Sequence, residues 1–197
     1  GSEMCIRDRS KPVYPSGRKN ITRAASANGS IASTVQMPDT HTGGNSMEDD
    51  RMQRYSEIII EHSQFPRHHS TIEHPTHEGQ GENPFCGDRV KLQFSVSPEG
   101  IIDAAAVESV GCAISMASAS LLASNLEGLS LSQAEALFEQ IRAAILEGPD
   151  ENRDEALGEL AALAFAGRYP SRVKCATLPW HVLKHALTGD SSIATTE

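Results

Sequence analysis

The sequence predicts an α+β domain: a small antiparallel β-sheet with helices packed on one face, preceded by a disordered leader. Three observations carry this expectation. Residues 90–110 hold two strand-like segments around a Pro98-Glu99-Gly100 turn, residues 112–187 are helical in period, and residues 10–46 have no apolar period.

At 197 residues the chain has the size of one domain with a tail. The stretch from Ser10 to Ser46 is dense in Ser, Thr, Asn, Gly and Pro. Such a composition cannot bury enough apolar surface to offset its ordering entropy, so disorder is expected there. The opening residues, Gly1 to Arg9, follow neither helix nor strand logic and read as an extraneous remnant, which sets Cys5 apart from the chemistry. The basic leader lacks the apolar run of a secretion signal; a mitochondrial-type presequence is the alternative.

Met52, Tyr55, Ile58 or Ile59, and His62 recur at helical spacing, with Ser46 as N-cap, acids in the first turn and Pro66 as the stop. A His- and Gly-rich loop is expected from His68 to Glu82. Val90, Leu92, Phe94 and Val96 then alternate with polar residues, the period of a half-buried strand, and residues 101–110 return beside it. This hairpin delivers the segments around Cys86 and Cys112 to one edge of the sheet. Cys112 to Leu126 reads as a helix stopped at Gly128. Ser132 with Glu135 is expected to form a capping box for a helix whose Leu137, Phe138, Ile141 and Ile145 share a face, closed by Gly148-Pro149. Leu157, Leu160, Leu163 and Ala164 mark another helix, stopped by Gly167. The last surrounds Trp180, Val182, Leu183 and Leu187, with Pro179 in its first turn.

The formal net charge of −9 argues against nucleic acid as a partner. No apolar run is long enough to span a bilayer. Four cysteines without an export signal point to a reducing, cytoplasmic compartment, where grouped thiols serve metals or redox chemistry. Three of them stand in compact settings: Asn83-Pro84-Phe85-Cys86-Gly87-Asp88, Gly111-Cys112-Ala113-Ile114-Ser115 and Arg172-Val173-Lys174-Cys175-Ala176. Gathered by the fold, Cys86, Cys112, Cys175 and the carboxylate of Asp88 are four ligands of the kind zinc prefers. Left apart, they are three ordinary buried cysteines. Cys112 falls at a helix N-terminus, where the backbone dipole favours a thiolate. Gly87 lets the Cys-x-Asp segment turn both side chains to one centre. His68, His69, His74 and His77 read as a solvated loop. A cysteine hydrolase would need a base from His62, His181 or His185, and no spacing commends one.

From about Met47 to Leu187 the chain resembles the U-type iron–sulfur cluster assembly proteins. The matching residues are Arg54-Tyr55 through His62, Pro66-Arg67, the three cysteine settings, and their extensions to Ser118 and Leu178. Within that family the resemblance is to the SufU branch. IscU-type scaffolds carry His before the third cysteine where this chain has Lys174, and the SufU branch has an inserted stretch corresponding to the segment around Leu137 to Gly167.

The resemblance implies a SufE/NifU-like fold over residues 47–188, with a flexible tail at 189–197. It also implies a zinc-dependent sulfurtransferase that accepts persulfide sulfur from a SufS-type cysteine desulfurase and serves downstream iron–sulfur assembly proteins. Cys86, Asp88, Cys112 and Cys175 would hold the zinc, and a desulfurase histidine would replace one cysteine. Cys86 is the favoured acceptor and Cys175 the alternative. One rival is a scaffold that assembles a [2Fe–2S] cluster, or holds iron, on the same cysteines. A second is a zinc-stabilised adaptor without catalysis.

Overall fold

The computed structural model describes residues 46–190 and 192–196. The expected leader, with Cys5, lies outside the described residues apart from Ser46. The first helix, α1 (Ser46–Gln64), follows the predicted spacing. A hairpin of β1 (His77–Asn83) and β2 (Asp88–Val96) comes next, then β3 (Ile102–Val110). Helices α2 (Ala113–Ser124), α3 (Leu131–Glu147) and α4 (Glu151–Leu157) follow. A 3-10 helix (Gly158–Arg168), α5 (Pro170–Thr188) and a short β4 (Ala194–Thr195) complete the order.

The sheet runs β3-β2-β1-β4, antiparallel except for β4 beside β1. Val90, Leu92 and Phe94 form its inward row on β2, opposite Ser109, Val107 and Ala105 of β3. Helices α2 and α5 lie directly on that face. Behind them, α1 packs on α2, α3 packs on α5, and the 3-10 helix joins the two pairs. Trp180, Leu121, Leu122, Leu163, Leu178 and Leu183 fill the space between and are fully or almost fully buried. Each such large side chain contributes on the order of 2 kcal/mol of apolar burial. The α+β expectation therefore holds, with helices on one face in two layers. Among the described residues no helix is long and apolar enough to cross a membrane.

Several elements differ from the sequence reading, each for a local physical reason. The expected loop at His68–Glu82 ends in β1. Its inward positions are Gly79, Gly81 and Asn83, so no apolar alternation marks the strand. The glycines are there because α5 lies against them: a Cβ on Gly79 would stand 2.7 Å from the Val182 carbonyl oxygen. The capping box belongs to Ser130 and Gln133, two residues before the expected pair. Helix α2 ends at Ser124 with Asn125 as its cap, short of Gly128. The helix around Leu157 to Ala164 divides into α4 and the 3-10 helix. Gly167 does not stop it; a side chain there would strike the Ile145 carbonyl of α3. Helix α5 starts at Pro170, which takes the first-turn position, so Pro179 lies in its interior. The tail at 189–197 carries β4, with Ala194 fully buried.

His62 is buried in α1. Its Nδ1 meets Ser120 Oγ at 2.8 Å and its Nε2 stands 3.6 Å from Glu159 Oε2. Burial first, and Arg67 second, hold its pKa below the ordinary value, against the opposing pull of Glu159.

Two outcomes are expected. Gly79→Ala lowers stability by about 1–3 kcal/mol, because main chain rather than a flexible tip blocks the new methyl; a urea titration measures it. The His62 effect runs with pH. The unfolded chain protonates His62 first, so its contribution is complete above the ordinary histidine value of about 6.5 and is lost as pH falls below it. His62→Gln should flatten the stability–pH curve in that window.

Candidate metal centre

The centre is built at the end of the sheet where the inward rows of three strands finish. Asp88 is the first residue of β2 and continues the inward row of Val90, Leu92 and Phe94. Asn83, the last residue of β1, is its register partner and also points inward. Gly111 follows β3 directly. A Cβ there would collide with Asp88 Oδ1 and stand 2.9 Å from Asp88 Cγ, so a side chain at 111 and the Asp88 carboxylate cannot share the space.

The turn between β1 and β2 carries Cys86. Gly87 N–H donates to the Asn83 carbonyl at 2.8 Å, and Phe85 N–H donates to Asn83 Oδ1 at 3.2 Å. Gly87 has φ 70°, a left-handed conformation that glycine adopts without strain. The turn leaves Cys86 exposed, while Cys175, on the second turn of α5, is 2% exposed. Their sulfurs are 3.3 Å apart. Asn83 Nδ2 donates to Asp88 Oδ2 at 3.3 Å and to Cys175 Sγ at 3.5 Å.

The ligand atoms of Cys86, Asp88 and Cys175 lie within 4.8 Å of one another. Three of the four residues expected from the sequence are thus brought together. Cys112 joins by another route. It is the N-cap of α2, and its main-chain N–H donates to Asp88 Oδ1 at 2.9 Å, while its sulfur lies outside the 4.8 Å set.

Burial, reinforced by hydrogen bonding to Asp88 and Cys86, pushes the Cys175 thiol strongly up, so without a cation it stays protonated. Asp88 is fully buried, and among the described residues no Lys, Arg or His pairs with it. A buried carboxylate with two thiols beside it and no cationic side chain fits a divalent ion. Beside Cys86 stands Phe85, 77% exposed, with Lys174 Nζ 4.6 Å from the centre of its ring.

Among the described residues no histidine joins the Cys86, Asp88 and Cys175 group. His77 stacks on Phe94, His69 meets the Ser109 carbonyl and His68 faces Glu127. His62 contacts Ser120, His181 contacts Phe138 and His185 contacts Asp190. None of these is a cysteine. Asn83, which holds both Asp88 and Cys175, had no role in the sequence reading. The signal was its place in the Gly79, Gly81, Asn83 row, visible only once β1 is recognised as a strand.

The pattern of the NifU-like N terminal domain matches residues 54–176, which include all four of these residues. The chain belongs to this family. Among similar proteins is the iron-sulfur cluster assembly scaffold protein IscU of Streptococcus pyogenes serotype M1. It is 34% identical over 133 residues, covering 68% of this chain and 82% of that protein. The zinc-dependent sulfurtransferase SufU of Bacillus subtilis (strain 168) is 32% identical over 130 residues, covering 66% and 86%. A solved structure described as an iron-sulfur cluster assembly scaffold protein for the SUF system, from Fervidobacterium Islandicum AW-1, has a TM-score of 0.61 at 33% identity. That match covers 68% of this chain and 97% of the other. The described residues therefore share the fold of that solved structure.

Gly111→Ala is expected to break the bond between the Cys112 amide and Asp88. The Cys112 amide should then exchange with solvent much faster by hydrogen-exchange NMR, and the unfolding midpoint should fall.

Proposed function

We propose that this chain works in iron–sulfur cluster assembly as a zinc-dependent sulfurtransferase, accepting persulfide sulfur from a SufS-type cysteine desulfurase at Cys86. The observation that carries the reading is the unequal exposure of two adjoining thiols. Cys86 is open to a partner, while Cys175, 3.3 Å away, is buried and held as a neutral thiol. A transfer protein needs one sulfur that a partner can reach and others that stay in place.

Cys86, Asp88 and Cys175 would hold the zinc, with Cys112 as the fourth ligand. When bound, the ion would keep the thiols as thiolates and mask them from stray electrophiles. The remaining work belongs to side chains already in position. Asn83 orients the Asp88 carboxylate and contacts Cys175. Phe85 offers apolar surface beside Cys86, with Lys174 over its ring. In the transfer, the Cys86 thiolate attacks the outer sulfur of the desulfurase persulfide. A new sulfur–sulfur bond forms on Cys86, the old one breaks, and the desulfurase cysteine leaves as a thiolate. Lys174 in the position before Cys175 supports the SufU branch over the IscU branch.

A second reading, the [2Fe–2S] scaffold, is favoured by the IscU-named relative, which is as similar as the SufU-named one. Iron and sulfide reconstitution separates the two: a coloured, transferable cluster supports the scaffold, a colourless zinc protein the transferase.

Purified protein is expected to carry about one zinc per chain, as a four-ligand site requires, and to accelerate sulfur release from cysteine by the desulfurase. Cys86→Ser should abolish the acceleration. If Cys86→Ser still accelerates and Cys175→Ser does not, the acceptor is Cys175 and the exposure argument is wrong.

A further inference from the structure

Ser115 lies in the first turn of α2. It is fully buried, and its hydroxyl has no hydrogen-bond partner among the described residues. An orphaned hydroxyl in a packed interior is destabilising, so its presence calls for a partner. Three positions before it stands the N-cap, Cys112, with φ −71° and ψ 161° and no side-chain cap hydrogen bond. In a capped helix these two positions answer each other: the third residue's N–H donates to the cap side chain, and its own side chain reaches back to the cap. Here the cap's N–H is already committed to Asp88 Oδ1. What the cap still offers Ser115 is sulfur.

The face of the helix agrees. Ser118, one turn further on, donates to the Ala176 carbonyl at 2.7 Å, so the Ser115–Ser118 side of α2 looks onto α5 next to Cys175. A Cys112 sulfur turned toward Cys86, Asp88 and Cys175 moves to this same inner side. We propose that Ser115 is a positioning residue whose hydroxyl donates to the Cys112 sulfur when that sulfur faces the metal centre. The proposal rests on the metal-centre reading above and deepens it. A hydrogen bond to a thiolate favours the charged form and fixes its direction. Cys112 thereby becomes a ligand held from behind by buried protein, in contrast to Cys86, which has solvent behind it.

The test uses cobalt(II) as the probe on wild type, Ser115→Ala and Ser115→Thr. It combines the sulfur-to-metal absorption band, the binding constant, and thermal unfolding with and without the ion. Ser115→Ala is expected to bind cobalt about tenfold more weakly, as loss of a supporting hydrogen bond typically does, and to shift the absorption band. Without the ion it should unfold at the same or a higher temperature, because an unpartnered hydroxyl has been removed from the interior. Ser115→Thr, which keeps the hydroxyl, should restore band and affinity. Equal affinity and an unshifted band in Ser115→Ala overturn the proposal while leaving the metal centre standing. A fall in ion-free stability overturns it too, since the hydroxyl then serves the fold. So does a Ser115→Thr variant that behaves like Ser115→Ala. If wild type takes up no cobalt, the metal-centre reading fails and takes this proposal with it.

Discussion

The Asp88 carboxylate is the constraint on which the site depends. It occupies a fully buried, inward position on β2, and its two oxygens are answered from different chain segments: the Cys112 amide at the start of α2 and the Asn83 side chain at the end of β1. Hydrogen bonds to a charged acceptor contribute about 1.5–3 kcal/mol each. Those two bonds fix where β3 hands over to α2 and how the hairpin turn closes. Gly111 has to be glycine because the carboxylate fills the space its side chain would need. A carboxylate so deep in the fold, with no cationic side chain paired to it among the described residues, suits a place that could take a cation.

The three thiols are then distinguished by what carries them. Cys86 rides on a four-residue turn and is exposed; Cys112 caps a helix; Cys175 is buried within one. A turn can yield locally without disturbing the core, since Phe85 and Cys86 bury little against it. Moving Cys175 would disturb α5, whose Leu178, Val182 and Leu183 belong to the main core. The exposed thiol is therefore the one whose displacement costs least.

Much of this was legible in the sequence, and the parts that were not share a cause. Val90, Leu92 and Phe94 announced β2 because their inward positions are apolar, and the cysteine settings announced the site because few residue types can bind a soft metal. Strand β1 stayed hidden because its inward positions are glycine, chosen for the closeness of α5 and not for any strand preference. The capping box was misplaced because Ser130-x-x-Gln133 and Ser132-x-x-Glu135 obey the same local rule, and contacts of residues 128–130 with Ile101 and Ile102, distant in the chain, accompany the observed start. Asn83 and Ser115 were silent for a related reason: their roles are defined by partners distant in the chain or by burial, neither of which a local pattern encodes.

Pro179 shows how far tertiary contacts override local preference. Proline inside a helix costs about 3 kcal/mol and has no N–H for the carbonyl four residues earlier, which here is that of Cys175. The helix is held at this point from outside. Trp180 Nε1 donates to Ser118 Oγ at 3.0 Å, and the same hydroxyl donates to the Ala176 carbonyl, tying α5 to α2 on both sides of the interruption. The segment that carries Cys175 is thus secured by α2, the helix that Cys112 caps, as well as by its own ladder. The helix that follows Cys112 and the segment that carries Cys175 are joined through one buried serine, a link that does not involve the exposed turn.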